Sequence, residues 1–273
     1  MNAGTERIRR TTAMCSAVGL ALTMTCLPVA GAGPDCESRS AATRVALIEL
    51  YTSEGCNSCP PADRWLSSLQ ARGFNADRVV PLAFHVDYWD YLGWRDRFAQ
   101  AGFSARQRAQ AGRGGARSVY TPQLLLNGAD FRQSFMDPGF SERLAKANSR
   151  TAAAELRLAQ QVSTTGVRIE LQGRVFEQSA QTFSDTHVAL FENKLASEVR
   201  AGENIGKVLL HDFVVREMIG PLHADSSGRL RWSGTVALPG NWKRPDLGIG
   251  AFVQDVRNGD ALQALQAPLC TKP

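Results

Sequence analysis

Two cysteines three positions apart, Cys56 and Cys59, are the residues of this 273-residue chain best suited to chemistry. An apolar run from Arg44 to Tyr51 leads into them and Pro60-Pro61 follows directly. A cysteine attacks a disulfide as its thiolate, so a close pair of this kind points to thiol–disulfide exchange. Cys56 is the expected nucleophile, because a turn like this exposes its N-terminal sulfur, and Cys59 is the expected resolving thiol. A helix opening just after the pair would aim the positive end of its dipole at the sulfurs. Pro60 and Pro61 have no N–H to offer, so only moderate stabilisation of the thiolate is expected.

Three further features could complete such a site. Thr121-Pro122 precedes a second apolar segment, Gln123 to Leu126. Cis peptide bonds are nearly confined to X-Pro steps. A cis bond here would present the N–H and C=O of Thr121 to an extended substrate, as an added strand would bind. The alternative is a trans proline opening an edge strand. Glu49 lies within the apolar run before the cysteines. Desolvated there, it could relay the proton of Cys59, or it could point outward at a strand end. His85, at the end of the apolar segment from Val79, could exchange a proton near Cys56 or join the sulfurs as a metal ligand. It could equally be a structural imidazole packed on Trp89. Arg95, Arg97, Arg106, Arg108, Arg113 and Arg117 read as a solvated face. Arg216 reads as the partner of a carboxylate.

The elements that must position these residues follow from the pattern. Arg44–Tyr51 and Val79–His85 read as strands buried on both faces. Between them Pro60 opens a helix that carries Trp65, Leu66 and Leu69 and stops at Gly73. Residues 89–115 read as a helical insertion. Asn127-Gly128 signals a hairpin into a strand at 130–134, and Asp137-Pro138 starts a last helix with Phe140 and Leu144. After Ala152 the apolar period drops to two, with turn signals at Thr165-Gly166, Ser226-Ser-Gly228, Pro239-Gly240 and Asn258-Gly259. This pattern suggests an all-β sandwich-like domain over 151–273, after an α/β domain over 33–150.

The N-terminus carries Arg7, Arg9 and Arg10, an apolar run from Ala13 to Val29, and Ala30-Gly-Ala32. That is the layout of a cleaved signal peptide over residues 1–32. Its removal takes away three arginines and one glutamate, so the net charge falls from +5 to +3. No nucleic-acid partner is expected, and no membrane-spanning segment would remain. A periplasmic or secreted location follows, where disulfides persist. Four cysteines would survive processing. With Cys56 and Cys59 taken as the reactive pair, Cys36 and Cys270 are left to each other or stay as free thiols. A bond between them would close a loop of over 230 residues, worth roughly 5 kcal/mol in the chain-entropy account.

Ile48-Glu-Leu-Tyr-Thr-Ser-Glu-Gly-Cys56 together with Thr121-Pro-Gln-Leu-Leu-Leu-Asn-Gly128 closely resembles the glutaredoxins. A longer set resembles a secreted bacterial thioredoxin-like family of unknown function (domain of unknown function 1223). It comprises Tyr51-Thr-Ser-Glu-Gly-Cys-Asn-Ser-Cys-Pro-Pro-Ala-Asp63, His85-Val-Asp-Tyr-Trp-Asp90, Tyr120-Thr-Pro-Gln123 and Gly202-Glu-Asn-Ile-Gly206 with His211-Asp212. The resemblance implies a thioredoxin-like (glutaredoxin-like) fold with Cys56 as nucleophile, Cys59 as resolving thiol and Pro122 as the cis-proline. No Gly-Gly-Asp follows the Asn-Gly turn, so glutathione binding is not implied.

The function expected is an exported thiol–disulfide oxidoreductase, with no cofactor and no resident metal, acting on thiol- or disulfide-bearing exported proteins. Two alternatives stand beside it. One is a Cu(I)-handling metallochaperone using Cys56, Cys59 and His85, since soft thiolates suit that ion. The other is a non-catalytic envelope interaction protein whose Cys56–Cys59 bond is structural.

Overall fold

The computed structural model describes Met1 and residues 36–116, 118–131 and 139–270. The expected signal segment therefore lies outside the described residues, apart from Met1, as do Arg117, Asp137-Pro138 and the far end of the strand expected at 130–134. Among the described residues no helix is long and apolar enough to cross a membrane.

After an edge strand, β1 (Cys36–Arg39), the apolar run becomes β2 (Ala46–Thr52), with every side chain buried. Next comes helix α1 (Pro60–Ser67), and then β3 (Val79–His85), again buried throughout and parallel to β2. Helix α2 (Ala101–Arg113) leads towards β4 (Gln123–Leu126), which pairs antiparallel with the other edge of β2. A turn at Asn127-Gly128 returns the chain as β5 (Ala129–Asp130), ahead of helix α3 (Phe140–Asn148). Gly128 has φ +79°, and a Cβ there would lie 2.2 Å from the carbonyl oxygen of Gly259, so no other residue fits that turn.

Alternation along β2 divides its two faces. Ala46, Ile48 and Leu50 pack against Trp65 and Leu66 of α1 and Phe140 and Leu144 of α3. Leu47 and Tyr51 pack on the opposite side with Phe84 and with Phe103 of α2. The insertion expected to be helical over 89–115 is helical only at residues 90–92, a single 3-10 turn, and along α2. The backbone between them is irregular because it wraps Asp96, whose oxygens accept the N–H groups of Glu54 and Phe98.

The second half supplies β6 (Ala154–Val162), β7 (Gly166–Val175), the short helix α4 (Gln178–Gln181) and β8 (Ser184–Glu192). Then come β9 (Leu195–Glu198), β10 (Val208–His211) and β11 (Val214–Leu222). The chain ends with β12 (Arg229–Ala237), β13 (Leu247–Asp255) and β14 (Ala261–Pro268). A four-stranded sheet of order β1-β6-β7-β12 lays Leu156, Leu158, Ile169 and Leu171 against Val188, Leu190, Ile249 and Ala251.

The boundary expected near residue 150 is not a boundary in space. One eight-stranded sheet runs β14-β13-β8-β11-β3-β2-β4-β5, and the described residues between Cys36 and Cys270 belong to a single unit. The seam is the parallel match of Val214 on β11 with Ala83 on β3, closed by the bond from Ala83 N–H to the Phe213 carbonyl at 2.8 Å. Pro81, two residues earlier on β3, has no N–H to offer on that edge, and Val214–Ala83 is the one matched pair between the two strands. The change of period at Ala152 marks a change in how strands are covered. β2 and β3 are buried on both faces, whereas β6 and β7 are buried on one. Cys36 and Cys270 are bonded to each other, with their Cα atoms 6.0 Å apart.

Candidate functional site

β2 delivers the chain into a tight loop. Ser53 holds it through its carbonyl to Cys56 N–H and through its hydroxyl to Gly55 N–H. Cys56 and Cys59 are joined as a disulfide, Cα to Cα 5.5 Å. Pro60 and Pro61 fill the first helical positions of α1, with Cys59 as the residue before them and no side-chain cap. The first helical N–H groups, those of Ala62 and Asp63, are spent on the Cys59 carbonyl. The proline pair thus leaves the sulfurs the dipole of a short helix and few donors.

The Thr121–Pro122 bond is cis. Trp89 links this step to the cysteine loop. Its indole N–H donates to Thr121 Oγ1 at 2.7 Å, and its Cβ lies where a Cβ on Gly55 would come within 3.1 Å. A side chain at position 55 would require Trp89 to shift by a few tenths of an ångström.

A turn from the second half closes over the same loop. Asn204, fully buried, donates both N–H groups of its side-chain amide, one to the Glu54 carbonyl and one to the Cys56 carbonyl, each at 2.9 Å. Next to it Glu203 Oε2 accepts the Asn57 N–H at 3.0 Å. These residues belong to the connection between β9 and β10, held by Gly206 N–H to the Val199 carbonyl at 2.8 Å. Both sulfurs are buried, at 0% exposure for Cys56 and Cys59.

Behind the loop lies a buried cluster of ionisable groups. His85 Nδ1 is 2.6 Å from Asp96 Oδ2, and its ring meets His211 edge to face at 4.9 Å. His211 Nε2 lies 3.3 Å from Glu54 Oε1 and its Nδ1 3.8 Å from Asp63 Oδ2, separations of ion pairs more than of hydrogen bonds. Trp94 Nε1 donates to Glu54 Oε2 at 2.7 Å. Burial alone would push the Asp96 and Glu54 carboxyls up, but His85 holds the first below its ordinary range and His211 the second. Burial pushes Asp63 up, and the two imidazoles offset this only in part. Burial would lower His85, yet the Asp96 carboxylate outweighs it and holds the imidazole above its ordinary value.

The sign of the pH dependence follows. The raised His85 contributes stability fully present below about pH 6.5 and lost as pH rises through its folded value. The depressed Asp96 contributes stability present above about pH 3.9 and lost as pH falls through its folded value. The resistance of the wild type to urea should therefore fall as pH rises above about 6.5, as the Asp96-paired imidazole loses its charge. Asp96→Asn should abolish that alkaline slope. An unchanged slope in the variant would assign the titration to another group.

Three sequence expectations need correction. Glu49 has no free oxygen for a relay to Cys59. Its Oε2 accepts from Tyr51 Oη and from Arg106 Nε, both at 2.8 Å, and its Oε1 from Gln254 at 3.1 Å. It lies on the Leu47–Tyr51 face of β2, away from the face on which α1 packs. Arg106, expected on a solvated face, is its buried partner. His85 is fully buried and pinned to Asp96, so it is not on a substrate-binding surface. Among the described residues no three His, Cys, Asp or Glu side chains form a metal-holding group. Arg216 is paired with Glu192 at 2.6 Å, as its surroundings suggest.

Asn204, His211, Asp63, Asp96 and Glu54 were assigned no role from sequence. The only signals were Glu54 and Asp63 flanking the cysteines and the Gly202–Gly206 and His211-Asp212 segments far along the chain.

Protein AGR_C_4864 of Agrobacterium tumefaciens has a similar solved structure, with 26% identity and a TM-score of 0.56 over 85% of this chain and 98% of that one. HBP35 of Porphyromonas gingivalis is similar in fold, with 16% identity and a TM-score of 0.65 over 84% of this chain and 76% of that one. No curated protein matches the chain in sequence. Residues 47–254, which include the cysteine loop, the Thr-Pro step and the Asn204 turn, match the model "Protein of unknown function (DUF1223)", and the chain belongs to that family.

Proposed function

We propose that the chain is an exported thiol–disulfide oxidoreductase whose working pair is Cys56 and Cys59, and that residues 33–150 carry a thioredoxin-like fold. Four strands in the order β3-β2-β4-β5, with β2 and β3 parallel and β4 and β5 antiparallel to their neighbours, support the second statement. So does the placement of α1 and α3 on one face and α2 on the other. The observation that carries the reading is a disulfide at the start of α1 together with a cis Thr121–Pro122 step that Trp89 ties to the cysteine loop at Gly55. The layout at residues 1–32 supports export.

From the oxidised state, a partner's thiolate attacks Cys56 Sγ. The Cys56–Cys59 bond breaks, and Cys59 leaves as a thiolate that takes up a proton. A second partner thiolate then attacks the partner sulfur of the mixed disulfide and releases Cys56. The partner gains a disulfide, and this protein gains two electrons and two protons. The reverse sequence reduces a partner, and the potential of the couple sets the direction.

Cys59→Ala removes the resolving thiol. Incubated with envelope extract, the variant is expected to accumulate mixed disulfides through Cys56 that dithiothreitol releases and that Cys56→Ser/Cys59→Ala lacks. A variant that captures nothing above the double variant sinks the reading. The full burial of both sulfurs favours a second reading, a permanent structural bond in an interaction protein. A Cys56–Cys59 potential below roughly −300 mV would select it.

A further inference from the structure

We propose that Asn204 is a positioning residue for exchange at the dithiol, a latch that holds the cysteine loop closed and must release before Cys56 can meet another sulfur. The inference rests on the exchange reading above and adds to it the group that controls access.

Three observations carry it. The attacked sulfur is fully buried, so exchange requires the loop to open. Asn204 holds the two carbonyls that bracket the entry to the pair, those of Glu54 and Cys56, with a single buried amide. Its own Oδ1 is in turn bonded by Lys207 Nζ at 2.9 Å. The amide is carried on a hairpin whose tip is not woven into either large sheet, because β9 and β10 pair only with each other. The exposed contact of Glu203 with Asn57 N–H adds a second, weaker hold. Lifting the turn breaks these bonds without breaking any strand pairing of β2 or β3. The chain that supplies the latch comes from the half opposite in sequence to the cysteines, so the site is complete only when both halves are folded.

The test reads native-state reduction of the Cys56–Cys59 bond by dithiothreitol. One reductant thiolate attacks Cys56 Sγ and Cys59 leaves. The second reductant thiolate then closes the reductant's own ring and frees Cys56. Samples are quenched by alkylation and read at the peptide level, so that Cys36–Cys270 is scored separately.

Asn204→Asp keeps the shape, loses both donors and sets a carboxylate against two carbonyls. It should speed reduction by roughly tenfold to a hundredfold, as expected for two buried hydrogen bonds lost from the closed state. Glu203→Ala, at an exposed position, should speed it by roughly threefold. Gln263→Ala is the structural control. Gln263 is also a fully buried amide bonded to backbone, at Val45 N–H and the Ala41 carbonyl, but it lies at the other end of β2. It should lower the melting temperature and leave the reduction rate within about twofold of wild type.

Wild-type rates in both Asn204→Asp and Glu203→Ala would overturn the latch and leave the exchange reading standing. Equal acceleration by Gln263→Ala would also overturn it, by assigning the effect to global loosening. If the bond resists dithiothreitol in every variant, the exchange reading falls and the latch with it.

Discussion

Replacing Cys36 and Cys270 together by serine is expected to lower the unfolding free energy by roughly 5 kcal/mol. The two cysteines are 234 positions apart, so their bond closes nearly the whole described chain and restrains the unfolded ensemble strongly. In the folded state β1 is four residues long and pairs only with β6, so without the bond that edge has little else to hold it. For a chain of this length the melting temperature should fall on the order of 10–20 °C. Serines at Cys56 and Cys59 release a loop of only three positions and should cost roughly 2 kcal/mol. Thermal melts of the two double variants measure the contrast, and equal shifts would refute the assignment of roles.

Arg106→Met is expected to cost about 3–5 kcal/mol, because it leaves the Glu49 carboxylate buried without a counter-charge. The guanidinium that it removes lies over Phe84 and Phe252, 5.5 and 5.2 Å from their ring centroids, and also bonds Gln254 at 2.6 Å. Adding Glu49→Gln to Arg106→Met should recover much of the loss, since a neutral amide still accepts from Tyr51 Oη while no charge is stranded. Urea denaturation of the single and double variants checks this. A single variant within about 1 kcal/mol of wild type would show that Glu49 is neutralised by some other route.

Most of what positions the cysteines could be read from local pattern. β2 and β3 are apolar at almost every position, and only strands covered on both faces are written that way. The proline pair set the start of α1, and Asn127-Gly128 set the turn between β4 and β5. Pairing across space was less legible. A period-two segment such as Val214–Leu222 announces a strand but not its neighbour, and its choice of β3 turned the two expected domains into one sheet. The same limit hid the cluster behind the loop. Glu54 and Asp63 flank the cysteines, but His85, Asp96 and His211 lie in other stretches, and nothing in any one of these reveals the others. Glu49 misled because an acid in an apolar strand advertises burial, whereas its partner Arg106 sits in a helix of ordinary solvated composition.

The chain is made from its N-terminus, and the order of its elements then has a temporal meaning. The cysteine loop, its helix and the Thr-Pro step all emerge before the hairpin that grips them, and β3 waits with an open edge until Val214 arrives. A newly made molecule therefore passes through a stage in which the pair of sulfurs is assembled but uncovered. The Cys56–Cys59 bond can form in that interval, before the late-arriving turn closes over it.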